Sequence, residues 1–111
     1  MEIIEKKDAD LSIFELDGRL DSHTSVEFDE KMFASIDTGT RRVIVDCGKL
    51  DYITSAGLRV LNKTAKRLKK EKGAIVLCAL EEYVREVFEI AGFDTFLPIV
   101  NDLDEALSRI E

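Results

Sequence analysis

Apolar residues recur along this chain with two different periods, and the alternation between them predicts its elements. Glu2 to Lys6 and Leu11 to Leu16 are short strand candidates separated by the polar group Lys7-Asp8-Ala9-Asp10, an arrangement that predicts an antiparallel hairpin. Asp17-Gly18 then reads as a turn. The capping cluster Asp21-Ser22-His23-Thr24 opens a helix whose face is Val26, Phe28, Met32, Phe33 and Ile36, and Asp37-Thr38-Gly39-Thr40 closes it. Val43 to Asp46 is continuously apolar up to its last residue, the pattern of a central parallel strand covered on both sides.

A second helix is predicted from Ser55 or Ala56 to Lys70, with Leu58, Leu61, Ala65 and Leu68 on one narrow face and Lys72-Gly73 at its end. Ala74 to Leu80 reads as another buried strand. Val84, Val87, Phe88 and Ala91 mark a third helix ended by Gly92. Phe96 to Val100 is a short strand whose Pro98 points to a sheet edge. Asn101-Asp102 caps a last helix carrying Leu103, Ala106, Leu107 and Ile110, and Asp102 with Glu105 has the spacing of a capping box. The order is β-β-α-β-α-β-α-β-α. Strands that alternate with helices need crossover connections, so the expected fold is a single α/β domain over residues 1–111 with a mostly parallel sheet.

Composition narrows the function. The formal net charge of −7 argues against direct nucleic-acid binding, which needs a basic field. No apolar run approaches the length of a membrane span, and the start of the chain lacks the pattern of a signal peptide, so no membrane insertion and a cytoplasmic location are expected. Cys47 and Cys78 have no metal-ligand spacing, and His23 is the lone histidine. Neither a metal site, a cofactor site nor a Ser-His-Asp triad is therefore expected, and the chain does not read as an enzyme.

The remaining chemistry is concentrated in Asp46 to Leu61. Here a buried strand hands over to a helix through two adjacent hydroxyls, Thr54 and Ser55, followed by Ala56 and Gly57. A helix start offers free N–H groups and a positive dipole end, so a phosphate placed on Ser55 could be held without unfolding the domain. A plain helix cap fits the same residues. The small side chains of Ala56 and Gly57 are expected to leave room for another protein's active site. Farther along, Arg59, Lys63, Lys66 and Lys70 form a basic stripe that reads either as a solvated face or as a docking edge for an acidic partner.

Leu50-Asp51-Tyr52-Ile53-Thr54-Ser55-Ala56-Gly57-Leu58-Arg59-Val60-Leu61 resembles the signature of bacterial anti-sigma factor antagonists, the STAS-domain family. Gly18-Arg19-Leu20-Asp21 with Thr24 resembles that family's second landmark, and Ile75 to Leu80 is similar to its strand before the third helix. The resemblance covers essentially the whole chain. It implies that Ser55 is phosphorylated by an anti-sigma factor that is also a GHKL-type serine kinase. The unphosphorylated chain would bind that kinase and free a sigma factor, and a PP2C-type phosphatase would reset it. Asp21 would lie near the phosphoacceptor and tune its surroundings together with Thr24, Thr54, Ala56 and Gly57. Asp21, Ser55, Leu58 and Arg59 would meet the partner.

One departure stands out. Many family members carry Asp where this chain has Thr54, so a second hydroxyl adjoins the aligned acceptor. A different reading of the same family is a STAS subunit that docks an ATPase in a transport or lipid-trafficking complex.

Overall fold

Val43, Ile44 and Val45 have no solvent exposure, and they alternate between two separate cores. Val43 and Val45 face a large cluster; Ile44 faces a smaller one. A strand buried on both faces must lie at the centre of a sheet. The computed structural model of the chain describes residues 1–95 and 97–111 and has this architecture. Its five-stranded sheet has the order β1-β2-β3-β4-β5, formed by Glu2–Asp8, Leu11–Leu20, Arg42–Ile53, Ala74–Cys78 and Ile99–Val100. β1 is antiparallel to β2 and every other pair is parallel.

Helices α1 (Thr24–Asp37), α2 (Ser55–Lys70) and α3 (Glu82–Ile90) connect successive parallel strands. The strand order advances in one direction and such crossovers are right-handed, so all three helices fall on one face of the sheet. Phe28, Met32 and Ile36 of α1, Leu58, Leu61 and Leu68 of α2, and Val84 and Phe88 of α3 fill the large core there. Phe14 of β2 meets Phe28 edge-on at 6.2 Å between ring centres. Helix α4 (Leu103–Ile110) follows the last strand and packs Ala106 and Ile110 against Ile44 and Val76 on the other face. Its cap is half of the expected box: Asp102 accepts from the Glu105 N–H at 2.8 Å, while the Glu105 side chain reaches one residue past the N-cap and accepts from the Asn101 N–H at 3.1 Å.

The expected element order is correct, but several boundaries move. Asp17-Gly18 is not a turn. Both residues lie inside β2, which runs on to Leu20. β3 likewise continues past Asp46 to Ile53, and it carries the extra residues in its pairing with β2. Cys47 and Gly48 lie opposite a single β2 residue, and Asp51 opposite none. These irregularities bend the ribbon without ending it, and Gly18 takes φ +116° within it. β4 pairs with β3 only from Arg42 to Asp46, so the far ends of β2 and β3 project beyond the sheet as a two-stranded ribbon. That ribbon carries the candidate site.

At the end of α2 the left-handed residue is Lys72, at φ +63°, not Gly73. Gly73 serves another purpose: a Cβ there would lie 2.2 Å from the Arg41 carbonyl oxygen. β4 stops at Cys78 because Ala79 turns out of the extended region at φ +62°. A short 3₁₀ turn, Phe93–Thr95, follows α3. Phe96, expected to begin the fifth strand, lies outside the described residues; β5 itself is an edge strand behind Pro98, as the proline suggested.

Candidate functional site

β2 and β3 end side by side, with Leu20 paired to Ile53; β3 passes through Thr54 straight into α2, and Asp21, Ser22 and His23 lead β2 into α1. Thr54 therefore emerges next to Asp21. The link is direct: the Leu20 carbonyl accepts the Thr54 N–H at 3.0 Å and, more weakly, the Thr54 hydroxyl at 3.4 Å. In open α/β sheets this carboxyl edge of the parallel strands is where helix starts and loops converge.

Thr54 is the N-cap residue of α2, in extended conformation, but its hydroxyl makes no bond to the helix. The first intrahelical bond runs from the Leu58 N–H to the Thr54 carbonyl at 3.1 Å. The N–H groups of Ser55, Ala56 and Gly57 thus lack intrahelical partners. The first turn of α2 contains no acidic residue, whereas α1, α3 and α4 each have at least one. Ser55 is exposed, and its hydroxyl has no hydrogen-bond partner among the described residues. Thr54 beside it is half-buried. An anion attached to Ser55 would meet open N–H groups and a positive helix end.

Asp21 forms a reciprocal cap on α1. Its Oδ1 accepts the N–H groups of His23 and Thr24, both at 3.0 Å, and the Thr24 hydroxyl at 3.1 Å. Thr24 Oγ1 in turn accepts the Asp21 N–H at 2.9 Å and is 2.7 Å from the Arg19 carbonyl. The Asp21 carbonyl accepts the Ser25 N–H at 2.9 Å, so helical bonding starts here. The Thr24 N–H holds the Asp21 carboxyl below the usual carboxylate range against opposing desolvation, helped by the Thr24 hydroxyl, the His23 N–H and the Arg19 charge. All three bonds use Oδ1, and Oδ2 stays open among the described residues.

Two expected site residues are placed differently. Leu58 belongs to the large core at 5% exposure, because its i, i+3 face is the one α2 presents to the sheet; its side chain is not a partner surface. Gly57 is also buried. A Cβ there would lie 2.8 Å from Leu20 Cγ and Cδ2 and 2.9 Å from Ile53 Cγ1. The glycine lets α2 approach the ribbon, and room for a partner is not its role. Ala56 is half-buried and Arg59 exposed. The basic stripe is divided as well: Lys63 pairs with Asp29 of α1 at 2.9 Å and lies 4.9 Å from the centre of the Phe33 ring. Arg59, Lys66 and Lys70 have no ion pair among the described residues.

Features not anticipated from sequence also lie on the ribbon and between the helix starts. Arg19 stacks on Tyr52 at 4.6 Å, its pair in the β2–β3 register, and Tyr83 donates its hydroxyl to the Asp51 carbonyl. On the other side, Ser22, Ser25 and Val26 of the α1 start face Ala56, Arg59 and Val60 across a groove of about 300 Å³. A larger cavity of about 580 Å³ lies at the far end of α2, beside Lys66, Lys69 and Ile75, and contains none of the residues around Ser55.

Among the described residues no cluster could hold a metal ion, and no helix is long and apolar enough to cross a membrane. Burial drives up the pKa of Cys47, and it pushes that of Cys78 to about 12, so both are inert thiols near neutrality.

Comparison with known proteins accords with this geometry. A Bordetella bronchiseptica protein named as an anti-sigma factor antagonist, BtrV, is 43% identical over 96 residues, covering 86% of this chain and 83% of that protein. The fold is similar to that of a Thermotoga maritima chain described as an anti-sigma factor antagonist, with a TM-score of 0.92, 19% identity and coverage of 97% and 93% of the two chains. It is also similar to unphosphorylated SpoIIAA, an anti-sigma factor antagonist, with a TM-score of 0.80, 19% identity and coverage of 98% and 97%. SpoIIAA has been solved in a phosphorylated form too, at a TM-score of 0.79, 19% identity and coverage of 99% and 100%. The STAS domain model matches residues 2–106. The chain therefore belongs to the STAS-domain family of anti-sigma factor antagonists, regulatory proteins and not enzymes.

Proposed function

We propose that this chain works by partner switching in the cytoplasm. Unphosphorylated, it binds an anti-sigma factor that is also a GHKL-type serine kinase and so frees a sigma factor. The kinase then transfers the γ-phosphoryl group of ATP to the Ser55 oxygen, ADP leaves, and the modified chain is released. A PP2C-type phosphatase hydrolyses the phosphoserine and resets the cycle.

The observation that carries this reading is the state of Ser55: exposed, without a hydrogen-bond partner among the described residues, and first in a helix whose start has no side-chain cap and no acid in its first turn. A phosphate there adds about −1.5 to −2 charges, which the helix start tolerates but a closed protein interface does not. Thr54 is the weaker acceptor, since it is half-buried and its hydroxyl points to the Leu20 carbonyl. The open Oδ2 of Asp21, next to Thr54 across the ribbon end, offers the partner a hydrogen-bond acceptor beside Ser55. Names support the reading as well, since BtrV and SpoIIAA are both described as antagonists of anti-sigma factors.

The test is phosphosite mapping after incubation with the cognate kinase and ATP. One phosphate on Ser55, absent from Ser55→Ala, is expected. A phosphate on Thr54, or none, would sink the assignment.

A further inference from the structure

The groove between α1 and α2 holds an anomaly. Ser25 is 5% exposed, and its hydroxyl is the only buried side-chain oxygen or nitrogen among the described residues without a hydrogen-bond partner. Buried hydroxyls are normally bonded, so an unbonded one lining a groove marks a place for a polar group from elsewhere. The walls supply the rest of the description. Val26 is 59% exposed and faces Ala56 and Val60. Asp29 and Lys63 neutralise each other in the same lining, which leaves Arg59 as its unpaired charge. At about 300 Å³ the groove is at the lower limit for a small-molecule site and suits a side chain or two of a protein held over Ser55.

Arg59 has a second possible partner. Residues four apart on a helix are neighbours, so Arg59 lies on the same face as Ser55, one turn on. Guanidinium groups pair with phosphates and carboxylates alike, in a bidentate fork.

We propose that Arg59 is shared between two anions. In the unphosphorylated chain it holds a carboxylate of the anti-sigma factor, which enters the α1–α2 groove, accepts a hydrogen bond from Ser25 and packs its apolar stem against Val26 and Val60. Phosphorylation gives Arg59 a stronger partner on its own helix, so the groove loses its cation and gains a neighbouring negative charge. Release then follows from capture of Arg59 together with repulsion. This inference rests on the partner-switching reading and deepens it.

The closing experiment separates the two. Phosphoserine is incorporated at position 55, and its phosphate is titrated by ³¹P NMR in wild type, Arg59→Gln and Lys66→Gln, with no partner present. Pairing with Arg59 lowers the second phosphate pKa below its ordinary value of about 6, and Arg59→Gln should raise it by about a few tenths of a unit. Lys66→Gln removes the same charge about 16 Å along the helix from Ser55, beyond the screening length, and should leave the value unchanged. Equal titration of wild type and Arg59→Gln would overturn the capture. In parallel, unphosphorylated Ser25→Ala and Arg59→Gln should bind the immobilised kinase more weakly than wild type, Arg59→Gln by about tenfold or more, with Arg59→Lys recovering part of the loss. Retention of all variants alike would remove the carboxylate from the groove but leave partner switching intact. A wild-type chain that no such kinase retains would instead sink partner switching itself.

Discussion

Gly57 lies against Leu20 so closely that a single added carbon would come within 2.8 Å of two Leu20 side-chain atoms. The Leu20 carbonyl also holds the Thr54 N–H. One residue at the end of β2 thus sets both the depth of the α2 start and the direction in which it leaves β3.

Gly57→Ala should therefore destabilise the chain by about 1–3 kcal/mol, the cost of overpacking a filled site, although alanine is the better helix former. Urea denaturation checks it. A neutral or stabilising effect would mean that the helix start moves freely away from the ribbon.

The Asp21–Thr24 cap gives a second expectation. Thr24→Val keeps the shape but removes the hydroxyl's bonds with the Asp21 N–H and the Arg19 carbonyl, and should cost about 0.5–1.5 kcal/mol. Because the folded-state pKa of Asp21 is depressed, its contribution is present above the unfolded value near 4 and disappears as pH falls through the folded value. Asp21→Asn should flatten this part of the acid stability profile, as followed by circular dichroism between about pH 2 and 6.

Cys78 sets an alkaline expectation of the opposite sign. Its thiol stays protonated in the folded chain up to about pH 12, while an unfolded thiol ionises near 8.5. Stability is level below the unfolded value and falls above it, by at most about 1.4 kcal/mol per pH unit for each such thiol. Cys78→Ala should reduce the slope measured by denaturation between about pH 9 and 11.

The basic stripe should divide by residue. Lys63 bridges to Asp29 and lies over Phe33, so Lys63→Ala should cost about 0.5–1.5 kcal/mol. Lys66→Ala, with no ion pair to lose among the described residues, should stay within about 0.5 kcal/mol of wild type. If neutralising Lys66 and Lys70 leaves kinase affinity unchanged at low salt, that end of the stripe is a solvated face.

The sheet was legible because its central strands are apolar on both faces and its helices keep a clean i, i+3, i+4 spacing. Val43 to Val45 announces a buried strand without further context. Sequence pattern misleads where a residue answers to a neighbour distant in sequence. Asp17-Gly18 has turn composition, yet the β3 residues opposite absorb the irregularity and the strand continues. Gly57 and Gly73 read as a small residue near a site and a helix stop. Each is in fact dictated by a close neighbour from another element, Leu20 and Arg41 respectively. Leu58 sits among the residues of the phosphosite stretch, but the core needs it. The hydroxyl pair marks Thr54-Ser55 only as a helix start, and the reading of Ser55 as acceptor comes from the family resemblance; the α1–α2 groove is not legible at all, because no local pattern says that Ser25 will be buried without a partner.

The most direct test of the account is the affinity of the kinase for two forms of this chain, measured by titration calorimetry. Phosphoserine at position 55 should weaken binding by at least about tenfold relative to the unmodified chain, the loss of about 1.4 kcal/mol. Ser55→Ala should bind like the unmodified chain and resist release by ATP. Equal affinities for the phosphorylated and unphosphorylated forms would contradict the switch.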